Sequence, residues 1–193
     1  MKLINLIVGG LIVFSSALSF AKSSNHSFFL FPVNKEIRYE KNSNEEYIDR
    51  NPNNYQVAYF YNKFGMAFEF SQFAEETGNS TSSIYRKHEE IQFWGMYSFY
   101  QYLGSHSDLR FNVGMGAGLQ QDDVDSTFNS VTRTDRGKQK VLTGLSMGTL
   151  YSVSFKEVWL ISAAAEGKSL FSSEFNPNPL WILVLRLGIG FKF

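Results

Sequence analysis

The residue types that could perform chemistry in this chain lie together near position 88. His88 and Glu90 are two residues apart, so in a β-strand both side chains project from the same face. Ser82 and Ser83 precede them closely, and a serine, a histidine and an acid are the components of a hydrolytic triad. No other feature of the sequence supports that reaction, and the histidines share no spacing typical of a metal site. We therefore predict no catalytic, cofactor-binding or metal-ligating residue. The histidines are His26, His88 and His106.

Two further motifs have plain structural interpretations. The run Gly114-Met-Gly-Ala-Gly118 has glycine spacing reminiscent of a dinucleotide site, but no helix pattern follows it. Asp122, Asp123 and Asp125 offer hard oxygen ligands, yet their spacing does not match an EF-hand loop. A solvated acidic loop explains them, and we expect no cofactor.

Charged residues also alternate with apolar ones inside segments that have the pattern of strands. An isolated buried ion is very costly, so opposite charges on an inward face are expected to pair across an interior. The simplest interpretation is a polar plug that fills a narrow barrel, and the alternative is a path for protons or ions. The predicted interior charges are Glu69, Glu90, Arg110, Glu166, Lys168 and Arg186, with Glu36 and Arg38 as additions.

The elements that must position these side chains are β-strands with two different faces. Near the end of the chain, Leu183, Leu185, Leu187, Ile189, Phe191 and Phe193 alternate with small residues and two cations. Long and short connections alternate strictly between eight such segments, which predicts an all-β, eight-stranded antiparallel up-and-down transmembrane β-barrel. The predicted strands are 28–40, 53–62, 64–73, 86–101, 108–121, 138–154, 157–170 and 180–193. The longer connections are 41–52, 74–85, 122–137 and 171–179.

One face of these segments is free of charge, as lipid exposure requires. Phe64, Met66, Phe68 and Phe70 alternate with small or polar residues, and three other segments show the same pattern. A cation at the midplane of a membrane barrel costs roughly 2–4 kcal/mol. Aromatic residues recur near the strand ends, which predicts two interfacial belts. By the short turns these are Tyr61, Phe64, Tyr100, Tyr102, Phe155 and Trp159, and by the long connections Tyr55, Phe73, Tyr85, Phe171 and Trp181.

The register of the first and seventh segments is left open by the sequence. In the first, the expected outer face contains Lys35, and Pro32 interrupts the ladder, which favours a later start or a bulge. In the seventh, Glu166 and Lys168 decide between two faces, and we place both inside. The outer face expected in the first segment is Phe29, Phe31, Val33, Ile37 and Tyr39.

Composition restricts the class of protein further. The 193 residues hold 18 cationic and 18 acidic side chains, so nothing favours nucleic acid as a partner. There is no cysteine, which excludes disulfides and a lipidated cysteine anchor.

The first residues of the chain have the pattern of an export signal. Met1-Lys2, an apolar stretch to Phe14 and Ser19-Phe20-Ala21 predict a signal peptide over 1–21. The mature barrel domain is then expected over 22–193.

An alternating terminal strand that ends on Phe193, after an export signal, resembles the closing strand of bacterial outer-membrane β-barrels. The chain is similar to the small barrel family that includes OmpX, OmpW and the OmpA membrane domain. This resemblance implies a monomer in a Gram-negative outer membrane, contact with outer-membrane lipid and lipopolysaccharide, and recognition of the terminal strand by the barrel-insertion machinery. It also implies a structural or surface-interaction role through the four outer loops.

Three alternatives remain open at the level of sequence. The first is a lipid-modifying barrel enzyme that uses His88 and Glu90, as barrels that deacylate lipid A do at their outer rim. The second is a narrow channel for small solutes. The third is a soluble lipocalin-like barrel, in which the phenylalanine face would point inward around a ligand.

Overall fold

The structure, a computed structural model, describes residues 26–41, 47–50, 53–78, 82–103, 106–129, 131–155, 158–173 and 179–193. The predicted signal peptide lies outside the described residues. Ten strands are present in this part of the chain. They are β1 (His26–Lys41), β2 (Tyr47–Arg50), β3 (Asn53–Tyr61), β4 (Phe64–Gly78), β5 (Ser82–Tyr102), β6 (Ser107–Phe128), β7 (Val131–Arg136), β8 (Lys140–Phe155), β9 (Trp159–Phe171) and β10 (Leu180–Lys192).

Eight of these strands form a closed antiparallel barrel. The order is β1, β3, β4, β5, β6, β8, β9 and β10, and the last strand pairs with the first, from Ser27 opposite Lys192 to Tyr39 opposite Trp181. β2 and β7 are short additions that pair with β1 and β6 respectively. The predicted fold class and the eight predicted strands are therefore confirmed. In the described residues, no helix has the length and apolar character to cross a membrane.

The two ends of the barrel differ, and we name them by their connections. At the turn end, short links join β3 to β4, β5 to β6 and β8 to β9. The link at Asn62-Lys63 is a two-residue turn in which Asn62 has a φ of 52°, a left-handed conformation that asparagine tolerates. At the opposite end, which we call the extended end, the strands continue beyond the closed barrel.

The alternation of side chains across each strand separates an apolar outside from a mixed inside. Phe93 is 55% exposed and Met115 71% exposed on the outer surface, whereas Trp94 on the inward face is 1% exposed. Inward glycines make room for the larger side chains. A Cβ atom on Gly116 would lie 2.6 Å from the Trp94 ring, and one on Gly144 would lie 2.9 Å from it. The predicted faces of β4, β5, β6 and β8 are confirmed.

The first strand departs from its predicted face. Phe29 and Phe31 point inward and are buried, so the prediction that they lie outside was wrong. The register of β1 against β10 shifts between Leu30 and Val33, next to Pro32, and this bulge reverses the faces. Beyond it, Glu36 and Arg38 point inward.

Glycines on the facing strand accept the two inward phenylalanine rings of β1. A Cβ atom on Gly188 would lie 2.6 Å from Phe31, and one on Gly190 would lie 2.8 Å from Phe29. The seventh barrel strand, β9, follows its prediction, with Lys168 buried and Ile161 exposed.

The long connections were predicted as loops, but three of them contain strand residues. Segment 74–85 largely continues β4 and β5, and 122–137 forms the end of β6 together with β7. β2 lies within the predicted loop 41–52. Polar residues occupy both faces of these strands, so they lack the hydrophobic alternation that reveals a strand, and pairing with neighbours holds them instead.

Exposed aromatic side chains lie near both ends of the barrel, with two departures from the prediction. Phe73 was predicted to lie in the outer belt, but its ring stacks on His88 with centroids 4.7 Å apart, on the inward face. The side chains of Tyr100 and Tyr102 lie outside the described residues. Tyr85 is exposed, but it lies on β5 beyond the ion pair of Lys87 and Glu89 and so outside the apolar surface. Exposed aromatics at the turn end are Tyr61, Phe64, Phe155 and Trp159, and at the extended end Tyr55, Phe171 and Trp181.

Replacing Gly116 by leucine should prevent the barrel from closing, because the new side chain would collide with the buried Trp94 ring. Overpacking of this kind costs roughly 1–3 kcal/mol or more. The fraction of folded protein, measured as the band whose gel migration changes on boiling, should fall sharply. Gly95→Leu is the matched control, because a Cβ atom on Gly95 has no neighbour closer than 4.0 Å and points outward. Equal folding of the two variants would contradict the assigned faces.

Candidate functional site: the charged lumen and the projecting sheet

The lumen contains a network of buried ions on the side of the extended end. Arg38 of β1 donates from Nη1 to Glu90 Oε2 of β5 at 2.7 Å and from Nε to Glu36. Its Nη2 also lies 3.3 Å from the hydroxyl of Ser71 on β4. All of these side chains are buried, so each charge depends on its partners for stabilisation.

A second part of this network is centred on Glu69, which is 1% exposed. Arg186 of β10 donates from Nη2 to Glu69 Oε2 at 2.9 Å, and Lys168 of β9 binds the same oxygen. Asn54 of β3 donates to both Glu69 and Glu36 and thereby connects the two parts. The network thus ties β1, β3, β4, β5, β9 and β10 together across the interior.

The predicted interior charges are therefore brought together, with one exception. Glu36, Arg38, Glu69, Glu90, Glu166, Lys168 and Arg186 all belong to the network. Arg110 lies apart, near the turn end, where its Nη2 donates to Ser27 Oγ at 3.1 Å and its guanidinium lies 4.9 Å from the Phe60 ring. Sequence reasoning missed the uncharged members Asn54 and Gln56. They alternate with Tyr55 and Val57 along β3, and this alternation could have placed them on the inward face.

An apolar layer separates the network from the charges at the turn end. Below this layer, Lys192 Nζ lies 3.0 Å from Asp108 Oδ2, and Ser152 also donates to Asp108. A small cavity of about 30 Å³ lies between the layer and Arg186, with room for about two water molecules. The layer consists of Phe29, Phe31, Phe60, Leu150 and Leu160, all buried.

At the rim of the extended end, His88 joins β5 to β6. Its Nδ1 lies 2.6 Å from Asp122 Oδ1 and its Nε2 lies 3.2 Å from Glu90 Oε2. Lys140 Nζ of β8 lies 3.2 Å from the other oxygen of Asp122. This rim is beyond the apolar outer surface, because Lys87 and Glu89 form an ion pair on the outward face of the same stretch of β5.

The two partners at the rim stabilise each other's charged form. Burial opposes the imidazolium, but the hydrogen bonds to Asp122 and Glu90 outweigh it and raise the pKa of His88 above its ordinary value. Burial likewise opposes ionisation of Asp122, yet the hydrogen bond and the charge of His88 lower the pKa of that carboxyl. His88 thus connects Asp122 to the buried network, because its Nε2 also lies 3.2 Å from Arg38 Nη1.

The structure does not assemble the conceivable hydrolytic triad. Ser82 lies six residues along β5 from His88, roughly 20 Å at the rise of a strand, and Ser83 points to the opposite face. The acidic cluster is divided as well, because Asp122 points inward whereas Asp123 and Asp125 follow the strand to the outward face. Among the described residues, no group of three or more acidic, histidine or cysteine side chains could hold a metal ion.

Beyond the rim, four strands continue as an open sheet that projects from one side of the barrel. We define this outer sheet as residues 73–78, 82–88, 122–128 and 131–136, which belong to β4, β5, β6 and β7 in that spatial order. In the described residues, β7 pairs only with β6. Every residue of β7 is exposed, so this strand forms an accessible edge.

The hairpin geometry shows which backbone groups of β7 are available. Phe128 and Val131 face each other across a two-residue turn, so they form a hydrogen-bonded pair and such pairs then recur at every second position. Gly137 N–H, which donates to Asp122 O at 2.8 Å, fits this alternation. The N–H and C=O groups of Thr132, Thr134 and Arg136 therefore point away from β6, toward the free edge.

Solved structures with a similar fold are small outer-membrane proteins. Neisserial surface protein A aligns with 88% of this chain and 98% of its own, with a TM-score of 0.51 and 12% identity. Ail, the attachment invasion locus protein of Yersinia pestis, in complex with the heparin analogue sucrose octasulfate, aligns with 89% of this chain and 100% of its own. Its TM-score is 0.50 and its identity 17%. The chain therefore has the fold of small outer-membrane barrels. No protein-family model matches the sequence, and a search of curated proteins gave no significant match.

Replacing Glu69 by glutamine should destabilise the barrel, because Lys168 and Arg186 would keep their buried charges and retain only Glu166 as an acidic partner, 3.8 Å and 2.5 Å away respectively. Breaking a buried ion pair by removing one partner costs roughly 3–5 kcal/mol. The free energy of unfolding can be measured by urea titration of the protein refolded in lipid vesicles. Glu89→Gln is the control, since the exposed Lys87–Glu89 pair should contribute about 0–1 kcal/mol. A similar loss for both variants would contradict the role given to the lumen network.

Proposed function

We propose that this protein resides in the bacterial outer membrane and binds other proteins through its outer sheet, with a lumen that is closed to solutes. The membrane location is supported by the outer surface of the barrel, on which large apolar side chains are exposed on strand after strand. A contiguous apolar surface of this extent marks a membrane or a protein interface, and here it surrounds a closed barrel. The extended end then faces the cell exterior.

The exposed edge of β7 is the observation that carries the surface-interaction role. Unpaired N–H and C=O groups on an edge strand are a ready template for an additional strand. Proteins commonly protect such an edge with proline, a bulge, a covering element or charged side chains. β7 has six exposed residues without a proline, and its charges Arg133, Asp135 and Arg136 restrict which strands can join it. An extended segment of a partner protein can therefore continue the outer sheet through main-chain hydrogen bonds.

A second copy in the same membrane is not the partner that this edge fits. Copies in one membrane share one orientation, so their β7 strands run in the same general direction along the membrane normal. Antiparallel pairing between them is thereby excluded, and parallel pairs are slightly less stable per residue. This geometry favours a monomer that captures a strand from another protein.

The closed lumen distinguishes this role from that of a channel. Large side chains of the apolar layer fill the interior near the turn end, and buried ion pairs fill it toward the extended end. A barrel of eight strands has an interior just wide enough for side chains. We accordingly expect no catalytic residue, no cofactor and no conducted solute. Contact with outer-membrane lipid and lipopolysaccharide, recognition of the last strand by the insertion machinery and the signal peptide over 1–21 belong to the same proposal.

Replacing Thr134 by proline tests strand addition directly. The N–H of Thr134 points to the free edge, so proline removes one edge donor while the ladder with β6 stays intact. A cyclic β-hairpin peptide with a neutral Thr/Val strand serves as the probe, because its strand is preorganised. In the wild-type protein in nanodiscs, we expect NMR shift changes at the amides of Thr132, Thr134 and Arg136.

The proline variant should lose roughly tenfold or more in peptide affinity, whereas the control Thr134→Val, which keeps the N–H, should bind like the wild type. Peptide-induced shifts outside β7, or equal binding by the proline and valine variants, would contradict the proposed function.

A further inference from the structure

The side chains of β7 present a fixed order of charges to any strand that joins this edge. Val131, Arg133 and Asp135 lie on the face that continues the lumen side, and Thr132, Thr134 and Arg136 lie on the other face. The Arg133 side chain is 81% exposed and that of Asp135 is 73% exposed. Their mutual contact of 3.7 Å is an exposed pair and leaves both charges accessible to a partner.

The order of charges on β7 determines which sequence an added strand needs in order to pair favourably with it. In an antiparallel pair, directly opposite residues share one face, and opposite charges there stabilise whereas like charges destabilise the pair. A strand that runs antiparallel to β7 meets Arg136 first, then Asp135, and meets Arg133 three residues after Arg136. The matching strand therefore begins with an acid and a base and has a second acid in its fourth position.

The uncharged residues of β7 determine which side chains fit the remaining positions of the added strand. Thr132 and Thr134 lie opposite the fifth and third positions of the added strand, where β-branched side chains pair well. Val131, which is 71% exposed, lies opposite the sixth position and favours an apolar side chain. Arg136 already lies opposite Asp123 of β6, so an acid on the added strand would place Arg136 between two carboxylates.

We infer that the edge of β7 selects extended protein segments with the order acid, base, β-branched, acid, β-branched, apolar, read from the amino end. This inference rests on the proposed function, because it assigns the partner class for the same edge. The main-chain hydrogen bonds supply affinity for any strand, and the charge order of Arg133, Asp135 and Arg136 supplies the selectivity.

Two cyclic hairpin peptides of identical composition test the charge order. One presents the strand Glu-Lys-Thr-Glu-Val-Ile and the other presents Lys-Glu-Thr-Glu-Val-Ile, so that only the pairs with Arg136 and Asp135 change from attraction to repulsion. The dissociation constants are measured by NMR titration of the whole chain in nanodiscs at low salt. The first peptide should bind roughly three- to tenfold more tightly, and added salt should reduce the difference.

A charge exchange in the protein should reverse this preference. The double variant with Asp135→Arg and Arg136→Asp keeps the composition of β7 and should bind the second peptide more tightly. Equal affinities for the two peptides, or an unchanged preference in the double variant, would overturn the charge order. If the neutral hairpin still binds and remains sensitive to Thr134→Pro, the proposed function stands without this selectivity. If no hairpin binds, both fail.

Discussion

The alternation of side chains across each strand is the constraint on which the other features of this protein depend. A closed ring of eight antiparallel strands satisfies its backbone hydrogen bonds internally, and every second side chain then faces outward. Because the outward residues are large and apolar, the ions of each strand have only the interior to occupy. That requirement explains why Glu69, Lys168 and Arg186, from three different strands, meet in one buried cluster. Water surrounds the strands at the extended end, so polar residues can occupy both faces of the outer sheet there. In the described residues, β7 at its edge pairs on one side only.

The interior is filled by two complementary kinds of packing. Toward the extended end, charged and amide side chains form ion pairs and hydrogen bonds with one another. Removing one member of a buried ion pair leaves the charge of the other without a partner. Toward the turn end, aromatic rings lie over glycines, as Phe29 and Phe31 do over Gly190 and Gly188. The bulge beside Pro32 allows β1 to contribute to both kinds of packing. Before the bulge, Phe29 and Phe31 point inward, and after it the charged Glu36 and Arg38 do so. The seam between β1 and β10 therefore depends on this irregularity.

Much of this architecture could be predicted from the sequence because lipid imposes a strict pattern. The charge-free faces of β4, β5, β6 and β8 located the strands, and Glu166 and Lys168 correctly placed the faces of β9. Phe29 and Phe31 were assigned to the wrong face, since a bulge shifts the alternation without changing the residue types. The outer sheet was missed because strands with water on both sides have no hydrophobic period, and β7 is recognised only by its pairing with β6. Phe73 was also assigned to the wrong face, because an aromatic residue near a strand end can lie in the interfacial belt or stack inward. Its ring stacks on His88.

The orientation of the faces can be measured through the three tryptophans. Trp159 and Trp181 are 54% and 57% exposed on the outer surface, whereas Trp94 is buried in the lumen. Three variants that each retain one tryptophan, with phenylalanine at the other two positions, would be refolded into vesicles of brominated lipid. The structure requires strong quenching of Trp159 and Trp181 fluorescence by the bromine atoms and little quenching of Trp94. Strong lipid quenching of Trp94, or access of a water-soluble quencher to Trp159 and Trp181 in place of lipid quenching, would show that the apolar face does not contact hydrocarbon.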